Sequence, residues 1–172
     1  MRTNKIKVGI VGAAGYTGGE TLRLLLQHPD VEIVCAQSRS QADKSISAVH
    51  KDLLGETDLQ FAYEIKQQVD VLFLCLSHGE SKEWLKQNSL PTSTKVIDLG
   101  NDFRIDTLLG EREFVYGLPE LYRDNIRNAQ NIANPGCFAT AIQLSLLPLA
   151  KEKALSETFV TGITGSTGAG QK

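Results

Sequence analysis

The stretch Lys7-Val8-Gly9-Ile10-Val11-Gly12-Ala13-Ala14-Gly15-Tyr16-Thr17-Gly18 decides how the chain folds. Lys7–Val11 is a short apolar run bounded by Gly12 and reads as a buried strand. Thr17–Gln27 places Leu22, Leu25 and Leu26 on one helical face, and His28-Pro29 stops that helix. The junction between them is glycine-rich for physical reasons. Gly12 permits a tight turn, Gly15 lets backbone approach a pyrophosphate, and Gly18 allows close packing of helix on strand. Amides at the helix N-terminus then receive the phosphate. A purely structural turn is the other reading of such a string. The position at the first strand–helix junction favours dinucleotide binding.

Outward from this unit the alternation continues. Val31–Ala36 is a second strand, Ser38–Ser47 reads as a polar loop, and Asp58–Tyr63 is a candidate third strand. Val69–Leu76 (VDVLFLCL) has the strongest strand signal, apolar at nearly every position as a strand covered on both faces should be. Glu80–Gln87 reads as a helix and Lys95–Leu99 as a strand. Residues 100–131 are rich in Asn, Asp, Gly and Arg, with one helix expected near Glu120–Ile126. Asn131–Ala133 is a short strand candidate. Phe138–Lys153 has helical periodicity with an expected kink at Pro148, and Thr158–Thr164 looks like a strand. The fold class expected is α/β: a Rossmann-type doubly wound parallel sheet.

The composition, 41% hydrophobic and 22% charged, is that of an ordinary globular domain. A net charge of −2 gives no basic footprint for nucleic acid. No apolar run reaches the length of a membrane span, and the N-terminus shows no signal-peptide core. The three cysteines, Cys35, Cys75 and Cys137, form no C-x-x-C pair, so neither a disulfide framework nor a metal site is expected. A reducing cytoplasm fits this usage.

Two further segments carry chemistry. The second strand is followed by Gln37-Ser38-Arg39-Ser40, without the acidic residue that holds a ribose 2′-hydroxyl in NAD-selective folds. Ser38 and Arg39 suit a 2′-phosphate instead, pointing to NADP, although a solvated loop would have the same composition. In Asn134-Pro135-Gly136-Cys137-Phe138-Ala139-Thr140, Cys137 stands at the start of a predicted helix. There the positive end of the helix macrodipole favours thiolate. Cys137 is therefore a candidate nucleophile, with a buried structural cysteine as the alternative. Cys35 and Cys75 lie inside apolar runs and read as inert core residues.

Together these segments resemble the N-acetyl-gamma-glutamyl-phosphate reductase family, a relative of aspartate-semialdehyde dehydrogenase. The resemblance rests on Val8–Gly18, Ser38-Arg39-Ser40, Leu76-Ser77-His78-Gly79 and Asp98–Arg104. It continues through Tyr116-Gly117-Leu118-Pro119-Glu120-Leu121, Asn134–Thr140 and Gly165–Gly170, in the family's order and over essentially the whole chain. It implies NADPH-dependent, reversible reduction of N-acetyl-glutamyl 5-phosphate to the semialdehyde through a thioester on Cys137, in arginine biosynthesis. It implies cofactor contacts at Gly12, Gly15, Tyr16, Thr17, Gly18, Ser38, Arg39, Ser77, His78, Gly168, Ala169 and Gly170. Substrate contacts are implied at Arg104 and Asn134. From the residues alone, Arg104 could equally pair at the surface with Asp102 or Asp106, and His78 could be a simple loop histidine.

The chain departs from the family at Gly100-Asn101, where members often have Ser-Ala, and at Thr167, where many have serine. Residues 1–150 are expected to form the NADP-binding domain and 151–172 to begin a truncated α+β substrate domain whose remainder is absent. No histidine follows His78. The family's general acid/base histidine is thus expected beyond Lys172, leaving the 172-residue chain inactive alone and a homo-oligomer expected only at full length. Aspartate-semialdehyde dehydrogenase is a competing enzyme reading; Arg104 in Asp-Phe-Arg and the Tyr-Gly-Leu-Pro-Glu-Leu segment argue against it. A non-catalytic NADP-binding redox sensor would leave Asn-Pro-Gly-Cys unexplained.

Overall fold

The computed structural model describes residues 4–169. Its centre is an eight-stranded sheet. In chain order the elements begin with β1 (Ile6–Val11), α1 (Tyr16–Leu26), β2 (Val31–Gln37), the single-turn α2 (Ile46–Val49), a 3₁₀ turn (Lys51–Leu53) and β3 (Phe61–Ala62). Then come β4 (Val71–Leu74), α3 (Glu80–Gln87), β5 (Lys95–Asp98), β6 (Leu108–Leu109), β7 (Arg112–Tyr116), α4 (Pro119–Asn128), β8 (Asn131–Ala133) and α5 (Cys137–Lys151). The sheet order is β3-β2-β1-β4-β5-β8-β7-β6. Every neighbouring pair is parallel except β6 with β7.

Alternation along β1 explains the two layers, because successive side chains point to opposite faces. Val8 and Ile10 enter one core with Leu22 of α1, Ile33 and Ala36 of β2, Ile46 and Phe61. Val11 enters the other with Leu72, Leu74, Val96 and Trp84 of α3. Helices thus cover both faces, as the doubly wound reading requires. From β1 the chain winds one way to β2 and β3, then crosses back to β4 and β5. The reversal lies between β1 and β4, and ligands of such sheets bind outside the strand ends at that point. No helix among the described residues is long and apolar enough to cross a membrane.

The structure corrects four expectations. The strand over Thr158–Thr164 is absent: those residues have no regular structure, and Phe159 and Ile163 are 88% and 92% exposed. A strand needs a ladder partner, and no described strand pairs with this segment. The loop over 38–47 contains the start of α2, nucleated by the fully buried Ile46. Residues 100–118 include the β6–β7 hairpin, turned at Gly110 with φ +59 and anchored by Phe114 stacked on Phe103 at 3.8 Å between ring centroids. Finally, β4 is shorter than Val69–Leu76. Asp70 ends it by accepting the Lys7 amide on its carboxylate at 2.8 Å, and after Cys75 the chain turns toward α3.

Candidate active site

Gly12 has φ +75, in the left-handed region, and a Cβ there would collide with the Cys75 carbonyl at the end of β4. No larger residue can let β1 and β4 meet this closely. Gly18 is buried against the backbone of Gly12 and Ala13, so α1 starts flush with the strand. Gly15, the N-cap of α1, carries no side-chain cap and has space beside it. The first helical amides have no intrahelical acceptors, and among the described residues no side chain takes them. Tyr16 and Thr17 are exposed in that first turn. The result is an open cradle of N–H groups for an anion.

Beside the cradle is a cleft of about 530 Å³ lined by residues including Gly12, Ser38, Arg39, Leu76 and Trp84. Gln37 ends β2, where an acid stands in NAD-selective folds. Its amide donates to the Tyr63 carbonyl at 2.9 Å and accepts from the Trp84 indole at 3.2 Å, so it is committed internally. Ser38 is buried, its amide on the Ala62 carbonyl at 2.9 Å. Arg39 is exposed, with its guanidinium 6.0 Å from the centre of the Tyr63 ring. Among the described residues no carboxylate pairs with it. The cradle and this free cation suit a dinucleotide bearing an additional phosphate.

Ser77 and His78 are exposed on the turn after β4. Gly79 caps α3 with φ +86. The α3 amides of Gly79 and Lys82 donate to the two oxygens of Asp102, at 2.7 and 2.9 Å. A carboxylate from the loop after β5 thus serves as a tertiary helix cap and ties the two loops together. Asp98, at the end of β5, is 0% exposed. One carboxyl oxygen accepts from Ser81 Oγ at 2.6 Å and from the Gly100 amide at 3.1 Å; the other has no partner among the described residues. Burial pushes this carboxyl above the ordinary carboxylate range, opposed by the two hydrogen bonds and reinforced by the charge of Asp102.

Arg104 pairs with neither Asp102 nor Asp106 among the described residues, where Asp106 is taken by Lys82. Its guanidinium instead braces the cysteine loop, donating from Nε to the Asn134 carbonyl at 2.9 Å and from Nη2 to the Leu99 carbonyl at 3.1 Å. Nη1 lies against Gly136, where a Cβ would come within 2.8 Å of it. Asn134 is held by its own amide on the Asp98 carbonyl at 2.8 Å, and its side chain bonds the Pro135 carbonyl at 3.1 Å.

Cys137 is the first residue of α5, exposed, behind an N-cap Gly136 that provides no side-chain hydrogen bond. The other thiols differ. Burial pushes Cys35 up, and pushes Cys75 up to about 12. Only Cys137 combines exposure with a helix N-terminus.

Because β1, β4, β5 and β8 are parallel, their following loops share one edge of the sheet. That edge carries the glycine cradle, Ser77-His78, Gly100–Arg104 and Asn134–Cys137 in spatial order. Three strand spacings separate the cradle's strand from the cysteine's, about 14 Å. Among the described residues the Gly168 turn makes no hydrogen bond to this row. It lies in a 3₁₀ turn (Ser166–Ala169) whose Gly168 amide donates to Gly165, and Gly170 lies outside the described residues. The segment before it returns alongside α5, with Gly162 against the Phe138 ring. Gln37, Trp84, Asp98 and Asp102 fasten these loops without having been singled out as site residues from sequence. Their roles come from long-range contacts that carry no local pattern.

Residues 7–129 match the family model described as semialdehyde dehydrogenase, NAD binding domain, and residues 137–172 match semialdehyde dehydrogenase, dimerisation domain. An N-acetyl-gamma-glutamyl-phosphate reductase from Christiangramia forsetii is 49% identical over 166 residues, covering 96% of this chain and 51% of the relative. One from Parabacteroides distasonis is 53% identical over 169 residues, covering 97% and 52%. The chain thus spans about half the length of the curated relatives it matches. Among solved structures, aspartate semialdehyde dehydrogenase with NADP from Candida albicans aligns with TM-score 0.61 at 17% identity, over 87% of this chain and 48% of that one. Aspartate semialdehyde dehydrogenase II from Vibrio cholerae gives 0.61 at 21% identity, over 86% and 47%. These two likenesses are of fold.

Proposed function

Since the chain belongs to the semialdehyde dehydrogenase family, we propose that it is the NADP-binding portion of an N-acetyl-gamma-glutamyl-phosphate reductase. The whole protein would reduce N-acetyl-L-glutamyl 5-phosphate to the 5-semialdehyde, reversibly, in cytoplasmic arginine biosynthesis. The observation that carries the reading is the exposed Cys137 at an uncapped helix N-terminus, on the same sheet edge as the glycine cradle.

The Cys137 thiolate attacks the acyl carbon. The bond from that carbon to the phosphate oxygen breaks, phosphate leaves with the electron pair, and a thioester remains on sulfur. NADPH supplies the hydride when bound. Breaking the carbon–sulfur bond then returns the thiolate and releases aldehyde. Gly12, Gly15, Tyr16, Thr17 and Gly18 would hold the pyrophosphate on backbone amides, and Ser38 and Arg39 the 2′-phosphate. Ser77 and His78 would face the nicotinamide half, with Gly168–Gly170 completing its contacts. Arg104 has two donors on loop carbonyls, which leaves Nη1 beside Gly136 for the substrate's phosphate or carboxylate. Asn134 would join it. Residues 1–150 are assigned to the NADP-binding domain and 151–172 to the start of the catalytic domain, with a homo-oligomer formed by the whole protein.

Alkylation tests the proposal in the whole protein. Iodoacetamide should modify Cys137 rapidly, and an acyl-phosphate substrate should slow it while NADP alone does not. Cys137→Ser should lose reduction and keep NADPH binding. An unreactive Cys137 in folded protein, or turnover by the serine variant, overturns the reading.

A further inference from the structure

We infer that His50 is a positioning residue for the pyrophosphate cradle, holding the glycine loop in its binding shape. The inference rests on the reading of that loop as a dinucleotide site.

His50 lies 37 residues from Ala13, at the junction of α2 and the 3₁₀ turn. Its backbone is fixed there: its amide donates to the Ile46 carbonyl at 2.9 Å, and its carbonyl accepts from Leu53 at 3.0 Å. The half-buried ring reaches over to the glycine loop, with Nε2 2.8 Å from the Ala13 carbonyl oxygen. That oxygen only accepts, so Nε2 carries the proton. The Ala13 amide donates to the Gln37 carbonyl at 2.9 Å. Residue 13 is therefore held from both sides, by the end of β2 and by His50. The next amides in the chain are those of the open cradle, and their direction follows from that of the peptide groups before them.

Two features show that the ring has a built seat. Gly19 forms its wall: a Cβ there would come 2.6 Å from the ring's Cε1 and 2.7 Å from Nδ1. This explains a buried helical glycine that the G-x-x-G-x-x-G pattern does not call for. Phe61 of β3 closes the other side edge-on, 6.1 Å between ring centroids. The crossover from β2 to β3 thus reaches back to the phosphate loop through one side chain.

Calorimetric titration of the chain with NADPH and with adenosine 2′-monophosphate, which lacks the pyrophosphate, tests this. His50→Ala should weaken NADPH about tenfold, the effect of stranding one carbonyl acceptor. It should leave adenosine 2′-monophosphate within about twofold. His50→Gln, which restores a donor, should recover much of the loss. Gly19→Ala should weaken NADPH in the parent chain by displacing the ring, yet add nothing in the His50→Ala background. Unchanged NADPH affinity, equal loss for both ligands, or additive effects of the two substitutions overturn the inference. Should His50→Ala fail to fold, Gly19→Ala, which displaces the ring, carries the same comparison between ligands. A parent chain that binds neither ligand overturns the dinucleotide reading, and this inference with it.

Discussion

At the scale of single residues, burial separates groups that share a chemistry. Cys35 and Cys75 are thiols held neutral by apolar surroundings, while Cys137 stands in solvent at the head of α5. Arg39 lines the cleft beside the glycine cradle and pairs with no carboxylate among the described residues. Replacing it by Gln should weaken NADPH about tenfold while leaving NADH nearly unchanged, the size of one charge-assisted contact. Equal losses in a competition titration would remove the 2′-phosphate assignment. Asp98 makes the third case. A carboxyl held above its unfolded value binds its proton more tightly in the folded chain. The stability this contributes is full below the unfolded value and is lost as pH rises through the folded one. The melting temperature of Asp98→Asn relative to the parent should therefore improve as pH rises from about 4 to about 8. A gap that stays constant would mean Asp98 ionises normally. Sequence singles out Cys137 and Arg39 because their neighbours in the chain set them apart. It could not reveal Asp98's state, set by Ser81 and by a fully enclosed site.

At the scale of elements, the site is a set of loops fastened to one another. Asp102 caps α3 from the loop after β5, and Arg104 from the same loop braces the turn before α5. Arg104→Ala should destabilise the chain by about 2 kcal/mol, since two carbonyls lose a charged donor. Arg104→Lys should recover less than half, because one ammonium cannot span both acceptors. Urea unfolding of the two variants measures both figures, and a lysine variant as stable as the parent would count against the bracing role. The long apolar runs of β1, β2 and β4 and the periodicity of α1, α3 and α5 were legible from pattern alone. The β6–β7 hairpin was not, because Arg112-Glu113 looks like loop. In the fold the Arg112 guanidinium bonds Asn131 Oδ1 at 2.9 Å and the Pro91 carbonyl at 3.2 Å, so the charge is part of the sheet's stitching. Thr158–Thr164 failed in the opposite sense, a good strand pattern without a ladder to join.

At the scale of the whole molecule, parallel pairing sets the cradle, the serine–histidine turn, the arginine loop and the cysteine loop along one edge. Trp84, the sole tryptophan, lines the cleft beside the glycine cradle and offers a native probe. Adding NADPH to the chain should quench Trp84 fluorescence to saturation, and unchanged emission would count against this cleft as the dinucleotide's site. Alternation of elements made the doubly wound class readable, but the strand order was hidden. From β5 the chain skips a position, builds β7 farther out, and comes back through α4 to set β8 into the gap. That late return has a consequence for the protein as it is being made. Until residue 133 leaves the ribosome, β5 is an unsatisfied edge, with Val96 and Ile97 ready to pair with any passing strand. The same three residues that cover the β5 edge lead directly into Asn134–Cys137, so the exposed thiol is delivered to its place by the event that closes that gap in the nascent sheet.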